Sequence, residues 1–126
     1  MTEKENRLNV VNNLITFISQ RGRRFFYSKS KDRIAFMEMN NNRIYYVDAY
    51  TGSRVYAYPH HTDRKGFSNG GTIWALVCEF SEFIRTGKDA NGSHGYGGLY
   101  GSGWGHSDEI QQEIIDYAKE IGYLKC

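Results

Sequence analysis

Between residues 24 and 58 the chain holds four short runs rich in β-branched and aromatic residues: Arg24–Ser28, Arg33–Met39, Arg43–Tyr50 and Arg54–Tyr58. The connections are brief and made of turn formers: Lys29-Ser30-Lys31-Asp32, Asn40-Asn41-Asn42 and Thr51-Gly52. Loops this short join antiparallel neighbours, because a parallel crossover needs about a dozen residues or more. A four-stranded antiparallel β-meander is therefore expected. Within its third run Ile44, Tyr46, Asp48 and Tyr50 point one way and Tyr45, Val47 and Ala49 the other. Neither face is purely polar. One is expected to pack on helices, and the other to be partly covered or used for binding. Pro59 ends the last run, where a missing N–H does little harm.

Helical spacing surrounds this region. Over residues 5–21, Leu8, Val11, Ile15 and Ile18 recur every three or four residues, with Leu14 and Phe17 widening the stripe and Gly22 as the expected cap. Residues 72–86 repeat the pattern with Ile73, Leu76, Val77, Phe80, Phe83 and Ile84, and Gly87 ends it. A last helix is expected to start at the N-cap Ser107, with Asp108 and Glu109 in its first turn and Ile110, Ile114, Tyr117, Ala118 and Ile121 buried. Residues 88–106 show no periodicity. The fold class is thus α+β: an N-terminal helix, the meander, then two helices separated by a long Gly/aromatic loop. All 126 residues are expected to form one domain, with residues 1–5 disordered.

Several broad classes are excluded. No apolar run approaches the roughly 18 residues that span a bilayer, and no signal-peptide pattern follows Met1. Cys78 and Cys126 form no CxxC pair, so two thiols and a cytoplasmic location (the host cytoplasm, for a phage-encoded chain) are expected. The net charge of +2 conceals an asymmetry: residues 1–65 carry twelve Lys or Arg against six acids, and residues 66–126 four against eight. A basic half steers toward phosphate-rich partners. Arg21, Arg23 and Arg24 beside Phe25-Phe26-Tyr27 look like a nucleic-acid surface, but a sequence pI of about 8.5 is too mild for a dedicated binder. Edge cations that prevent strand-to-strand aggregation explain them as well. No membrane or nucleic-acid partner is expected.

Two loops carry the candidate chemistry. Arg64-Lys65-Gly66-Phe67-Ser68-Asn69-Gly70-Gly71-Thr72 runs straight into the second helix. Orphan N–H groups and the positive dipole end make a helix N-terminus receptive to anions, and glycines allow close approach. Arg64 and Lys65 add charge. The segment is neither a Walker A loop nor GxGxxG. The second loop places seven glycines among residues 92–106, with Tyr96, Tyr100 and Trp104 every fourth residue and His94 and His106 near the ends. Three large rings in a glycine-rich loop fit packing against the body or stacking on a planar ligand. The histidines, His60, His61, His94 and His106, match no metal-ligand spacing, and no nucleophile–base pair is visible. Neither a metal, a cofactor nor a catalytic residue is expected.

The stretch Gly66–Gly87, Gly-Phe-Ser-Asn-Gly-Gly-Thr before an apolar helix ending Phe-Ile-Arg-Thr-Gly, resembles a pattern in small bacteriophage and mobile-element proteins. There too a Gly- and Trp-containing segment and a short acidic helix follow. The resemblance covers roughly residues 55–120 and carries no catalytic assignment. It implies a phage accessory protein, a class often devoted to host takeover or counter-defence.

The first reading is a binding module for a small anionic, nucleotide-like ligand, which acts as a sponge if that ligand is a host defence signal. Residues 66–72 would hold phosphate beside Arg64 and Lys65. Tyr96, Tyr100 and Trp104 would stack on the base, and His94 or His106 would meet a polar edge. The alternative is an inhibitor of a host protein that works through the aromatic and Gly-rich surface. A histidine-dependent nucleotide-handling enzyme comes third. The amphipathic first helix also offers a surface for a homo-oligomer.

Overall fold

A computed structural model describes residues 2–21, 25–57, 70–88, 98–100 and 107–124. Helix α1 spans Glu3–Ser19. Thr2 caps it, its hydroxyl accepting from Glu5 N–H at 3.1 Å, the first half of a Thr-x-x-Glu capping box. Glu3 and Glu5 add favourable charge at the positive dipole end, so the helix begins inside the stretch expected to be disordered. Gln20 closes it; the expected cap Gly22 lies outside the described residues. Val11, Leu14, Ile15 and Ile18 are all fully buried, and the helix touches α2 (Gly70–Thr86), β3 (Phe36–Asn40) and α3 (Asp108–Glu120).

The strands keep the expected order but divide into two sheets. The first pairs β1 (Tyr27–Ser28) with β2 (Arg33–Ile34). The second has the order β3, β4 (Arg43–Val47), β5 (Arg54–Tyr56), all antiparallel. The run expected as one strand over residues 33–39 changes partners at Ala35, whose N–H donates to Phe26 O at 2.8 Å. One stretch of backbone therefore serves two ladders. Residues 24 and 58, the expected outer ends of the meander, are not described.

Turn chemistry follows the sequence. Asn41 and Asn42 link β3 to β4 as a two-residue loop with φ of +53° and +65°. Both being positive makes it a type I′ turn, whose twist matches the strands it joins. At the next turn the buried Asp48 accepts from Tyr50 N–H at 2.8 Å and Thr51 N–H at 3.1 Å. Gly52, at φ +72°, lets the Arg33 guanidinium close over this turn, where it donates to Ala49 O at 2.8 Å and Tyr50 O at 3.2 Å. A Cβ at position 52 would stand 2.7 Å from that guanidinium.

Helix α1 packs on β3, α2 on β4, and α3 on α1. Met37, Ile44, Tyr46 and Ala57 join the core with the α1 stripe, Phe26, Ile73, Leu76, Phe80, Leu99 and Ile114. Two side chains on α1 tie the parts together. Asn12 accepts from Met37 N–H at 2.7 Å and donates to Met37 O at 3.0 Å, filling an edge position of β3 as another strand would. Arg7 donates to Ile84 O at 2.9 Å and Arg85 O at 3.4 Å, satisfying carbonyls at the end of α2. The expected N-cap Ser107 receives Ile110 N–H at 3.2 Å. Beyond α3, Tyr123 N–H reaches Ala118 O at 2.9 Å and Gly122 N–H reaches Lys119 O at 3.2 Å with Gly122 at φ +89°, a Schellman motif that delivers the Tyr123 ring into the core against Phe80 and Phe83.

Two measurements check this packing. Asn12→Leu strands two backbone groups of Met37 and should cost about 2 kcal/mol in urea unfolding, whereas Asn13→Leu on the exposed side should cost little. Burial, then the Asp48 carboxylate, then Tyr50 raise the Tyr46 pKa well above its ordinary value, so folding holds the phenol neutral. That contribution is complete below about pH 10, the unfolded value, and is lost as pH rises beyond it. Stability should accordingly fall above about pH 10, and less steeply in Tyr46→Phe.

Candidate functional site

Helix α2 starts at Gly70, two residues earlier than its apolar spacing suggests, so Gly70, Gly71 and Thr72 occupy its first turn. That turn contains no acid to offset the positive dipole end. Arg64, Lys65, Gly66, Phe67, Ser68 and Asn69 lie outside the described residues. So do His60, His61, His94, Tyr96, Trp104 and His106. Of the expected stacking rings, Tyr100 is described. It ends a 3₁₀ turn over Gly98–Tyr100 that touches both α2 and α3. Leu99 is 0% exposed and its carbonyl accepts from the Gln111 amide at 3.0 Å, while Tyr100 beside it is 55% exposed. A fixed turn thus presents a ring to solvent.

Sequence spacing missed the character of α2. Ala75, Cys78, Glu79 and Ser81 are buried as well as the expected stripe, so the helix is covered on more than one face. Glu79 is 0% exposed. A carboxylate survives such burial only when hydrogen-bonded or paired. The available signal was its isolation: it is the sole charged residue between Lys65 and Glu82. Ser81 donates its hydroxyl to Ala57 O, fastening α2 to the residue after β5.

A second surface lies on the outer side of the three-stranded sheet. Register places Phe36 opposite Val47 and Val47 opposite Arg54 in one row, with Glu38, Tyr45 and Tyr56 in the next. Phe36 is 41% and Tyr56 45% exposed. Arg54 pairs with Glu38 at 2.8 Å and lies 4.1 Å from the centroid of the Tyr45 ring, which leans on Tyr56 at 5.5 Å. Arg43 stands 5.7 Å from the Tyr56 ring. The second sheet face, expected to be partly covered or used for binding, is partly covered: Glu38, Tyr45 and Val47 are half-buried, whereas Phe36 and Tyr56 are exposed.

The remaining features are smaller. Arg21 stacks over Phe17 at 3.8 Å and Phe17 over Tyr117 at 4.1 Å, so this part of the basic-aromatic run rests on the junction of α1 and α3. A shallow depression of about 300 Å³ opens nearby, lined by Ser19, Gln20, Tyr27 and Ile34. Among the described residues no group of three His, Cys, Asp or Glu is placed to hold a metal, and no helix is long and apolar enough to cross a membrane.

Comparison with known proteins adds a lineage. The model of the YoqU family matches residues 2–126. The SPbeta prophage-derived uncharacterized protein YoqU of Bacillus subtilis (strain 168) is 40% identical over 124 residues, covering 98% of this chain and 86% of that protein. The chain belongs to the YoqU family. No solved structure matches it. The family match includes every element described above and both candidate loops, so it extends beyond residues 55–120, where the phage resemblance was seen. The prophage origin of the YoqU relative agrees with that resemblance; the Gly66–Thr72 motif is not singled out by either match.

The 3₁₀ turn yields a direct test. Leu99→Ala should cost about 2–4 kcal/mol, measured by thermal or urea unfolding, because it empties a fully buried site. Tyr100→Ala should leave stability within about 0.5 kcal/mol. Equal losses would mean that Tyr100 packs rather than projects.

Proposed function

We propose that the chain is a phage accessory protein that binds a small anionic, nucleotide-like molecule at the start of α2. The observation that supports this most is Tyr100, a ring held out to solvent by a turn pinned through Leu99 and packed against α2. The acid-free first turn of α2, entered from Arg64 and Lys65, supplies the complementary half: backbone N–H groups and positive charge for a phosphate. In this reading Gly66–Thr72 cradle the phosphate, Tyr96, Tyr100 and Trp104 stack on the base, and His94 or His106 meets its polar edge. The YoqU relative's prophage origin supports an accessory role, of which capture of a host defence signal is the most economical form.

Native and denaturing mass spectra of protein purified from bacterial cells, repeated with a panel of cyclic and linear nucleotides, test the reading. A stoichiometric adduct lost on denaturation is expected, weakened roughly tenfold by Arg64→Ala and by Trp104→Ala without loss of folding. Full-strength binding by both variants removes the proposed site. No adduct under any condition shifts the function to the competing reading, inhibition of a host protein through the aromatic surface.

A further inference from the structure

Tyr100 is the described ring of the proposed site, and the backbone beside it shows what aims it. A 3₁₀ turn of three residues has little hydrogen bonding of its own, so its orientation depends on what holds it from outside. The Leu99 side chain is fully buried in the core. Its carbonyl accepts from the Gln111 carboxamide on α3 at 3.0 Å.

That hydrogen bond bears on Tyr100 directly. The Leu99 carbonyl belongs to the peptide group joining Leu99 to Tyr100, and this group is planar through the Tyr100 Cα. A donor that fixes the direction of the Leu99 C=O therefore fixes the plane from which the Tyr100 side chain leaves the backbone. Burial of Leu99 sets the depth of the turn but not this direction, because burial is non-directional. Gln111 is itself held in place. Its N–H donates to Ser107 O at 3.0 Å in the first turn of α3, and Ser107 caps that turn by accepting from Ile110 N–H. Gln112, next along, serves a different end, its amide donating to Asp116 at 2.8 Å on the exposed side.

We propose that Gln111 is a positioning residue for the anionic, nucleotide-like ligand: through the Leu99 carbonyl it holds the Tyr100 ring in the attitude that stacks on the base. The inference rests on the reading that Tyr100 stacks on that ligand. A ring already held in one attitude loses less freedom when a base arrives, so the cost of ordering falls on folding rather than on binding. The capped start of α3, a helix that held no candidate residue, thereby becomes part of the site.

Amide relaxation of the ligand-free chain, and titration with AMP, GMP and their cyclic monophosphates, test this together. In the unmodified chain the Leu99 and Tyr100 amides should be as rigid as those of the helices, with order parameters of about 0.85. Gln111→Met keeps the stem and removes the donor, and should lower the Tyr100 value below about 0.6 without unfolding α3. Gln111→Glu, of the same shape but with no N–H to donate, should do the same, which covers a packing defect peculiar to Met. Gln112→Met should change neither amide. Tyr100→Ala should weaken nucleotide binding about tenfold and Gln111→Met about threefold. The double variant should bind as Tyr100→Ala does, because the glutamine acts through the ring. Losses that multiply, or a Tyr100 amide that stays rigid in both Gln111 variants, overturn the positioning role and leave the ligand reading standing. Failure of the unmodified chain to bind any of these nucleotides overturns the ligand reading and takes the positioning role with it.

Discussion

Asn12 joins helix to sheet with a pair of hydrogen bonds that use both the acceptor and the donor of its carboxamide. Its amide gives one acceptor and one donor to Met37 N–H and C=O, the pairing a strand would supply. It sits between Val11 and Leu14 on a helix whose buried stripe touches α2, α3 and the sheet. The apolar stripe supplies the burial energy, but burial is non-directional. The Asn12 pair fixes where along α1 the sheet edge must lie. Arg7 performs the same service one turn earlier, holding the end of α2.

Much follows from that placement. Because α1 covers the inner face of the sheet and the β3 edge, the side chains of Phe36, Tyr45 and Tyr56 are left on the far side. Because α2 is enclosed, even Glu79 and Ser81 lose their solvent. Among the described residues the exposed rings are Phe36 and Tyr56 on the outer sheet face, Tyr50 at the turn between β4 and β5, and Tyr100 on its own turn.

Local chemistry was legible where it was self-contained. Asn40-Asn41-Asn42 marked a hairpin because asparagine tolerates positive φ, and Ser107 marked a helix start because its hydroxyl caps the third residue on. Gly87 ended α2 as expected, at φ +77°. What depends on distant partners was not legible. The division of the run over residues 33–39 at Ala35 follows from a hydrogen bond to Phe26, not from any change in β propensity. The burial of Glu79 is a tertiary fact: its neighbours announce an apolar helix, but only packing on several sides removes the last solvent-facing strip. Of the candidate site, Gly70–Thr72 and Tyr100 fall among the described residues, and the exposure of Tyr100 could not be read from a repeat that suited packing equally well.

Native-state hydrogen exchange, followed residue by residue, addresses the central claim that α1 and its Asn12 link organise one core. The amides of α1, Met37 in β3 and the middle of α2 should exchange only through global unfolding, all with the same free energy, while the β1–β2 hairpin opens more easily. Exchange of α1 or of Met37 at markedly lower free energy than α2 would contradict it, because the helix would then be an attachment to the core rather than its centre.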